Sequence, residues 1–278
     1  LNLGDTWERR TPTADEVMAV ERPLAEHRDL GGCPVVGILG NHCRSGAADV
    51  SMPEAISLGG LMRISAQPEV IELARVSICT LPWTTVARLT ALLDDPDVDR
   101  VYQDGADLLV RVAADLRAKA NPDKPAVLLG HWSVTGAALP SGLDVATLRE
   151  VVLPLADLEQ IGFDQMLFGH IHAPKAWSAL HPSVMSAIMV GSPMPLDHGE
   201  AAVEHGCWLI DVGSDVKIGG YEFLPLESRS FQTIVVHVDS GGWIINDVHP
   251  GSIVRAMVSV GEDDAVDAAA IRESLLDA

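Results

Sequence analysis

Three times along the chain a short apolar run ends in a glycine followed by side chains that can hold a metal. Pro34-Val35-Val36-Gly37-Ile38-Leu39 runs into Gly40-Asn41-His42, Ala126-Val127-Leu128-Leu129 into Gly130-His131, and residues 163–168 into Gly169-His170-Ile171-His172. Such runs, bounded by breaks, predict buried strands. Polar groups at the C-terminal end of a buried strand are where open α/β sheets place their sites. The opening Leu1-Asn2-Leu3-Gly4-Asp5 reads as a strand end and a turn.

Helical patterning lies between these strands. Thr13-Ala14-Asp15-Glu16 is a capping box, followed by Val17, Val20 and Leu24 at helical spacing. Pro23 predicts a kink or early end there. Residues 85–93, 107–119 and a segment near Asp157 read as helices, and residues 75–80 as a strand; residues 45–68, rich in Gly, Ser and Pro, read as an irregular excursion. After residue 185 the pattern changes to short strands at 186–190, 207–212, 220–224 and 233–238, which predicts a second sheet packed on the first. Residues 253–260 read as a strand and 267–276 as a helix behind the acidic Glu262-Asp263-Asp264. This organisation predicts one domain over residues 1–250 and the start of a second over 251–278.

Composition narrows the class. Hydrophobic residues are 47% of the 278 and mean hydropathy is +0.20, which excludes disorder as a description of the whole. No apolar run is long enough for a membrane helix, and the first residues lack the features of a signal peptide, so no membrane association and a cytoplasmic location are expected. Four cysteines, Cys33, Cys43, Cys79 and Cys207, form no CxxC pair, which fits a reduced compartment. The net charge of -20 repels a polyanion, so nonspecific DNA binding by this chain alone should be weak.

Asp5, Asn41, His131, His170 and His172 form a set of carboxylate, amide and imidazole donors suited to Mn, Fe or Zn. Two such ions about 3.5 to 4 Å apart can neutralise a phosphoryl group and hold a hydroxide. Gly4-Asp5-Thr6-Trp7-Glu8, Gly40-Asn41-His42, Gly130-His131 and Gly169-His170-Ile171-His172 resemble, in order, the second to fifth motifs of the calcineurin-like metallophosphoesterases. Gly4 to Pro12 and the segment Val190-Gly191-Ser192-Pro193-Met194-Pro195-Leu196-Asp197-His198-Gly199-Glu200 are similar to the SbcD/Mre11 nucleases, as is Glu222-Phe223-Leu224-Pro225-Leu226.

The resemblance implies a four-layer α/β/β/α metallophosphoesterase sandwich and two Mn ions. Asp5 would bridge both ions. Asn41, His131 and His170 would complete one and His172 would bind the other, with His42 as the catalytic imidazole. It also implies DNA phosphodiester cleavage, as exonuclease or endonuclease, by a homodimer beside an SbcC/Rad50-like ATPase, with a capping domain beginning near the end of this chain. The family's first motif, an Asp-x-His on a first strand before Asp5, does not occur, so that strand is expected to be missing. The chain then reads either as part of a longer enzyme or as a degenerate paralogue. The residue after the catalytic histidine, usually acidic, is Cys43.

Other residues carry open readings. Glu8 supports structure or pairs with Arg9 or Arg10. His198 and Glu200 border a DNA path or form a solvated turn, and Trp83 and Trp132 line the cleft or pack. Ser192 has no GxSxG setting, and the absence of a P-loop assigns any ATPase activity to a partner. Two further functions stay open beside the nuclease: a phosphodiesterase or phosphatase of small substrates, and a noncatalytic partner-binding subunit.

Overall fold

The computed structural model describes residues 1–9, 11–43, 51–93, 97, 100–178, 185–213, 218–239, 242–244, 248–260 and 267–276. Helix α1 (Ala14–Asp29) opens on the predicted capping box. The Glu16 N–H donates to Thr13 Oγ1 at 3.3 Å and the Thr13 N–H to Glu16 Oε2 at 2.6 Å. Pro23 does not end this helix. It is exposed, so the carbonyl it leaves unpaired faces water, while Leu24 joins Val17 and Val20 against Trp7, Ile56 and Met62.

Strand β1 (Val36–Ile38) pairs in parallel with β2 (Arg63–Ser65), and Asn2 bridges to Gly37 on β1. The intervening segment is not irregular throughout. Ser51 caps α2 (Met52–Leu58) in a second capping box with Glu54, a pattern present in the sequence but obscured by its Gly, Ser and Pro content. Residues 44–50 lie outside the described set.

The central sheet collects β3 (Glu69–Glu72), β4 (Ser77–Leu81) and β5 (Ala126–Gly130), then β8 (Gln165–Phe168), β9 (Lys175–Ser178) and β10 (Met185–Met189). The two-residue strands β6 (Ser133–Val134) and β7 (Val152–Leu153) pair separately. The order is β3-β4-β5-β8-β10-β9, with the inner four strands parallel and both edges antiparallel. Strands β4, β5 and β8 are buried at every residue, as parallel strands covered on both faces must be. Strand β3 was not foreseen from the sequence.

Alternate residues point to opposite faces. Leu128, Met166 and Phe168 meet Leu89 of α3 (Val86–Thr90), Leu109, Ala113 and Leu116 of α4 (Val101–Lys119) and Leu158 of α5 (Leu155–Ile161). Helix α4 begins six residues before the predicted start at 107. Val127, Leu129, Leu167 and Ile188 meet Val36 and Ile38 of β1, with Trp208, Ile210, Ile218 and Tyr221 of a hairpin, β11 (Gly206–Val212) and β12 (Ile218–Pro225).

The later strands do not form one second sheet. Apart from the hairpin, β13 (Phe231–Asp239), β14 (Gly242–Ile244) and β15 (Ile253–Val260) make a sheet of order β14-β13-β15. With α6 (Ala268–Leu276) it encloses its own core of Ile234, Val236, Val238 and Ile271. Strands β13 and β15 pair in parallel from Phe231↔Ile253 to Val238↔Val260, so the predicted boundary at 250 cuts through a sheet. His249-Pro250-Gly251 is a turn within that unit, which begins after Pro225. Among the described residues, no helix is long and apolar enough to cross a membrane.

The central strands predict a graded response to truncation. Leu128→Ala, at a fully buried position of β5, should lower the stability measured by urea unfolding by about 2–5 kcal/mol. Leu209→Ala, on the exposed side of β11, should change it by less than about 0.5 kcal/mol.

Candidate metal centre

Strands β5 and β8 run in parallel and in register, Gly130 opposite Phe168, so His131 and His170 leave the same edge of the sheet. Strand β1 brings Asn41 to them. The opening segment lies beside β1: the Asn2 N–H donates to the Val36 carbonyl at 2.8 Å, and the Ile38 N–H to the Asn2 carbonyl at 3.1 Å. The chain then turns through Gly4 at φ +97° and Asp5 at φ +49°, with the Gly4 N–H on Asn2 Oδ1 at 3.0 Å. The left-handed backbone suits glycine at position 4, and a Cβ there would also collide with His131 Nδ1. A Cβ on Gly40 would collide with Asp5 Oδ1.

Four of the five predicted metal ligands come together. His131, 1% exposed, presents Nε2 at 2.9 Å from Asn41 Oδ1 and 3.0 Å from Asp5 Oδ2. His170 presents Nδ1 at 3.0 Å from the same Asn41 oxygen. Donor atoms of Asp5, His131 and His170 all lie within 4.8 Å of one another.

The outer nitrogens of both rings are already engaged. His131 Nδ1–H donates to the Leu3 carbonyl at 2.5 Å, and His170 Nε2–H donates to Glu150 Oε2 at 3.0 Å. In its neutral form each ring therefore turns a lone pair inward, toward oxygens of Asn41 and Asp5. A rotated Asn41 amide could donate to both rings, but His131 Nε2 would still face Asp5 Oδ2. One proton on Nε2 relieves that contact alone, whereas one metal ion accepts all four lone pairs. The residues present thus fit a divalent ion with nitrogen and oxygen ligands.

Burial pushes the Asp5 carboxyl up, but the hydrogen bond and charge of a protonated His131 and the His42 N–H at 2.8 Å outweigh it, leaving Asp5 below the usual carboxylate range in the metal-free site. Asp5 is thus ready to ligate as an anion.

The fifth predicted ligand, His172, stands apart from that group. Its Nδ1 meets Glu200 Oε1 at 2.6 Å. Glu200 is buried and takes the Leu196 N–H on its other oxygen at 2.9 Å, so it belongs to no solvated turn. His42 is oriented by the Glu8 carbonyl, 2.6 Å from its Nδ1, with Glu8 Oε1 at 3.8 Å. Glu8 thereby stands near His42 where the sequence comparison led to Cys43. Burial pushes the Cys43 thiol up, away from the thiolate that binds metal.

Sequence reasoning missed Glu150 altogether. Nothing at its position signals a role, because it reaches His170 only through tertiary structure. It also passed over His205, whose Nδ1–H donates to buried Ser192 Oγ at 2.9 Å while that hydroxyl donates to the Met194 carbonyl at 2.9 Å. This pairing fastens the loop that carries Glu200, and it leaves Ser192 unactivated as a nucleophile. Trp132 is buried with Nε1–H on the Leu81 carbonyl at 3.0 Å, a packing role. Among the other histidines, His181 lies outside the described residues. A cleft of about 270 Å³ opens beside the centre, lined by Leu139, Pro140, Ser141, His170, His172 and Asp197 among others.

No family model matches the chain, and no curated protein sequence does. Among solved structures it is similar in outline to "GAP50 the anchor in the inner membrane complex of Plasmodium", with 11% identity over 74% of this chain and 72% of that chain. The TM-score is 0.39, too low to carry an inference about this chain.

The crowding at Gly40 is directly testable. Gly40→Ala should displace Asp5 and weaken Mn binding at least tenfold by titration calorimetry. Gly219→Ala, where an added Cβ meets nothing within 4 Å, should leave binding unchanged.

Proposed function

We propose that this chain is a metal-dependent phosphoesterase of the calcineurin-like type, acting on DNA phosphodiester bonds as the SbcD/Mre11 nucleases it resembles do. The observation that carries the reading is the convergence of donor atoms of Asp5, Asn41, His131 and His170 on one point, with the outer nitrogen of each ring already hydrogen-bonded elsewhere. These four would hold one ion, and Asp5 with His172 would contribute to a second. Mn, Fe or Zn would supply Lewis-acid polarisation of the phosphoryl oxygens and a hydroxide at neutral pH.

The remaining chemistry is assigned to the chain's own groups. With Nδ1–H donating to the Glu8 carbonyl, His42 in its protonated form would give its Nε2 proton to the leaving oxygen and return to the neutral ring with Nδ1–H kept. The cleft beside His170 and His172 would receive the ester. In this reading the layers form the α/β/β/α sandwich, with α3 to α5 outside the central sheet and α1 and α2 outside β1 and β2. A homodimer, an SbcC/Rad50-like ATPase partner and a cytoplasmic location belong to the same proposal.

A second reading is favoured by the carboxylates of Asp197 and Glu200 along the cleft and by the net charge of -20. Both disfavour the flanking phosphates of a duplex, and a small phosphodiester would avoid them.

Elemental analysis after Mn incubation and dialysis, followed by assays on linear duplex DNA and on bis(4-nitrophenyl) phosphate, tests both. At least one Mn per chain is expected, lost in His131→Ala, with cleavage of DNA dependent on Mn. Cleavage of the small ester alone selects the second reading, and a chain that retains no Mn overturns the metal reading itself. His42→Ala should keep its metal and lose roughly 10²- to 10⁴-fold in kcat.

A further inference from the structure

We infer that Glu150 and Glu200 are positioning residues that fix His170 and His172 in opposite tautomers, so that one ring ligates through Nδ1 and the other through Nε2. The inference rests on the metal-centre reading. Glu150 Oε2 accepts the His170 Nε2–H at 3.0 Å, and Glu200 Oε1 accepts the His172 Nδ1–H at 2.6 Å. His170 is thereby left with its lone pair on Nδ1, which faces Asn41 at 3.0 Å, and His172 with its lone pair on Nε2.

Both carboxylates are themselves held at their other oxygen. Ser133, buried at the start of β6, donates its hydroxyl to Glu150 Oε1, and the Leu196 N–H donates to Glu200 Oε2 at 2.9 Å. Neither carboxylate is free to swing between partners. For Glu150, burial pushes the carboxyl up, but the hydrogen bonds from His170 and Ser133 outweigh it and keep it below the usual range. Glu200 is only 6% exposed, and burying a carboxylate is unfavourable unless its oxygens are taken up as these are.

The two histidines sit two residues apart, a spacing that on a continuing strand would aim both rings to one side. His170 instead adopts φ +86°, a backbone state that non-glycine residues avoid. The Glu150 hydrogen bond acts on the ring carried by this unfavourable backbone. Carboxylates behind ligating imidazoles fix the tautomer and raise the basicity of the inner nitrogen.

The test uses the full chain labelled with ¹⁵N-histidine and without metal. Long-range ¹H–¹⁵N correlation spectra read each ring's tautomer, and calorimetry reads Mn affinity. The wild type should show Nε2–H at His170 and Nδ1–H at His172. Glu150→Ala should mix the tautomers of His170 and weaken Mn binding about 10- to 100-fold while leaving His172 as it was. Glu200→Ala should mix those of His172 alone. Glu150→Gln, whose amide oxygen can still accept from Nε2–H, should keep the wild-type tautomer.

Circular dichroism checks folding, and Glu150→Asp, which keeps the charge but withdraws it by one methylene, replaces the alanine variant should that one unfold. Unchanged tautomers in these shortened variants would overturn the inference. So would a mixed tautomer accompanied by unchanged Mn affinity. Failure of Mn to bind the wild-type chain would remove the metal reading, and the tautomers would then be decided by the spectra alone.

Discussion

The hydrogen bond from His131 Nδ1–H to the Leu3 carbonyl ties the opening segment to the central sheet, and the arrangement of the candidate centre depends on it. It holds Asp5 over the end of β5, and it decides which imidazole nitrogen faces Asp5 and Asn41. Because His131 is buried, the ring cannot exchange this partner for water. In the neutral ring the oxygens opposite it then face a lone pair, a contact that a bound cation or a second proton on Nε2 would relieve.

The surroundings hold that arrangement in place. Glycines at positions 4 and 40 allow the backbone of the first turn to approach β1 and His131 more closely than any Cβ would permit. The parallel register of β5 and β8 sets His131 and His170 at neighbouring strand ends, with ring centroids 5.2 Å apart. Glu150, Glu200 and Glu8 grip the outer sides of His170, His172 and His42, so the inward geometry is supported from outside. In a chain of net charge -20, concentrating carboxylates around one point is unfavourable, and a bound divalent ion would offset part of that repulsion.

Much of the frame was legible in the residues. The apolar runs ending at Gly40, Gly130 and Gly169 were strands in the expected places because a buried parallel strand requires an uninterrupted apolar stretch, which is visible locally. The capping box at Thr13 announced α1 for the same reason. The pause at Pro23 misled, since an exposed proline in a helix anchored by packing on either side does not end it. Likewise His249-Pro250-Gly251 has the composition of a linker, and only the pairing of β13 with β15 makes it an internal turn.

The sequence alone determined which side chains carry metal-binding chemistry and that they follow strands, because donor type and strand propensity are properties of short segments. Tertiary structure decided which of them meet. It gathered Asp5, Asn41, His131 and His170, left His172 with Glu200, and brought Glu150 to His170 from 20 residues away. Those pairings depend on strand order, register and the left-handed turn at Gly4 and Asp5, and these are fixed only when the whole sheet packs.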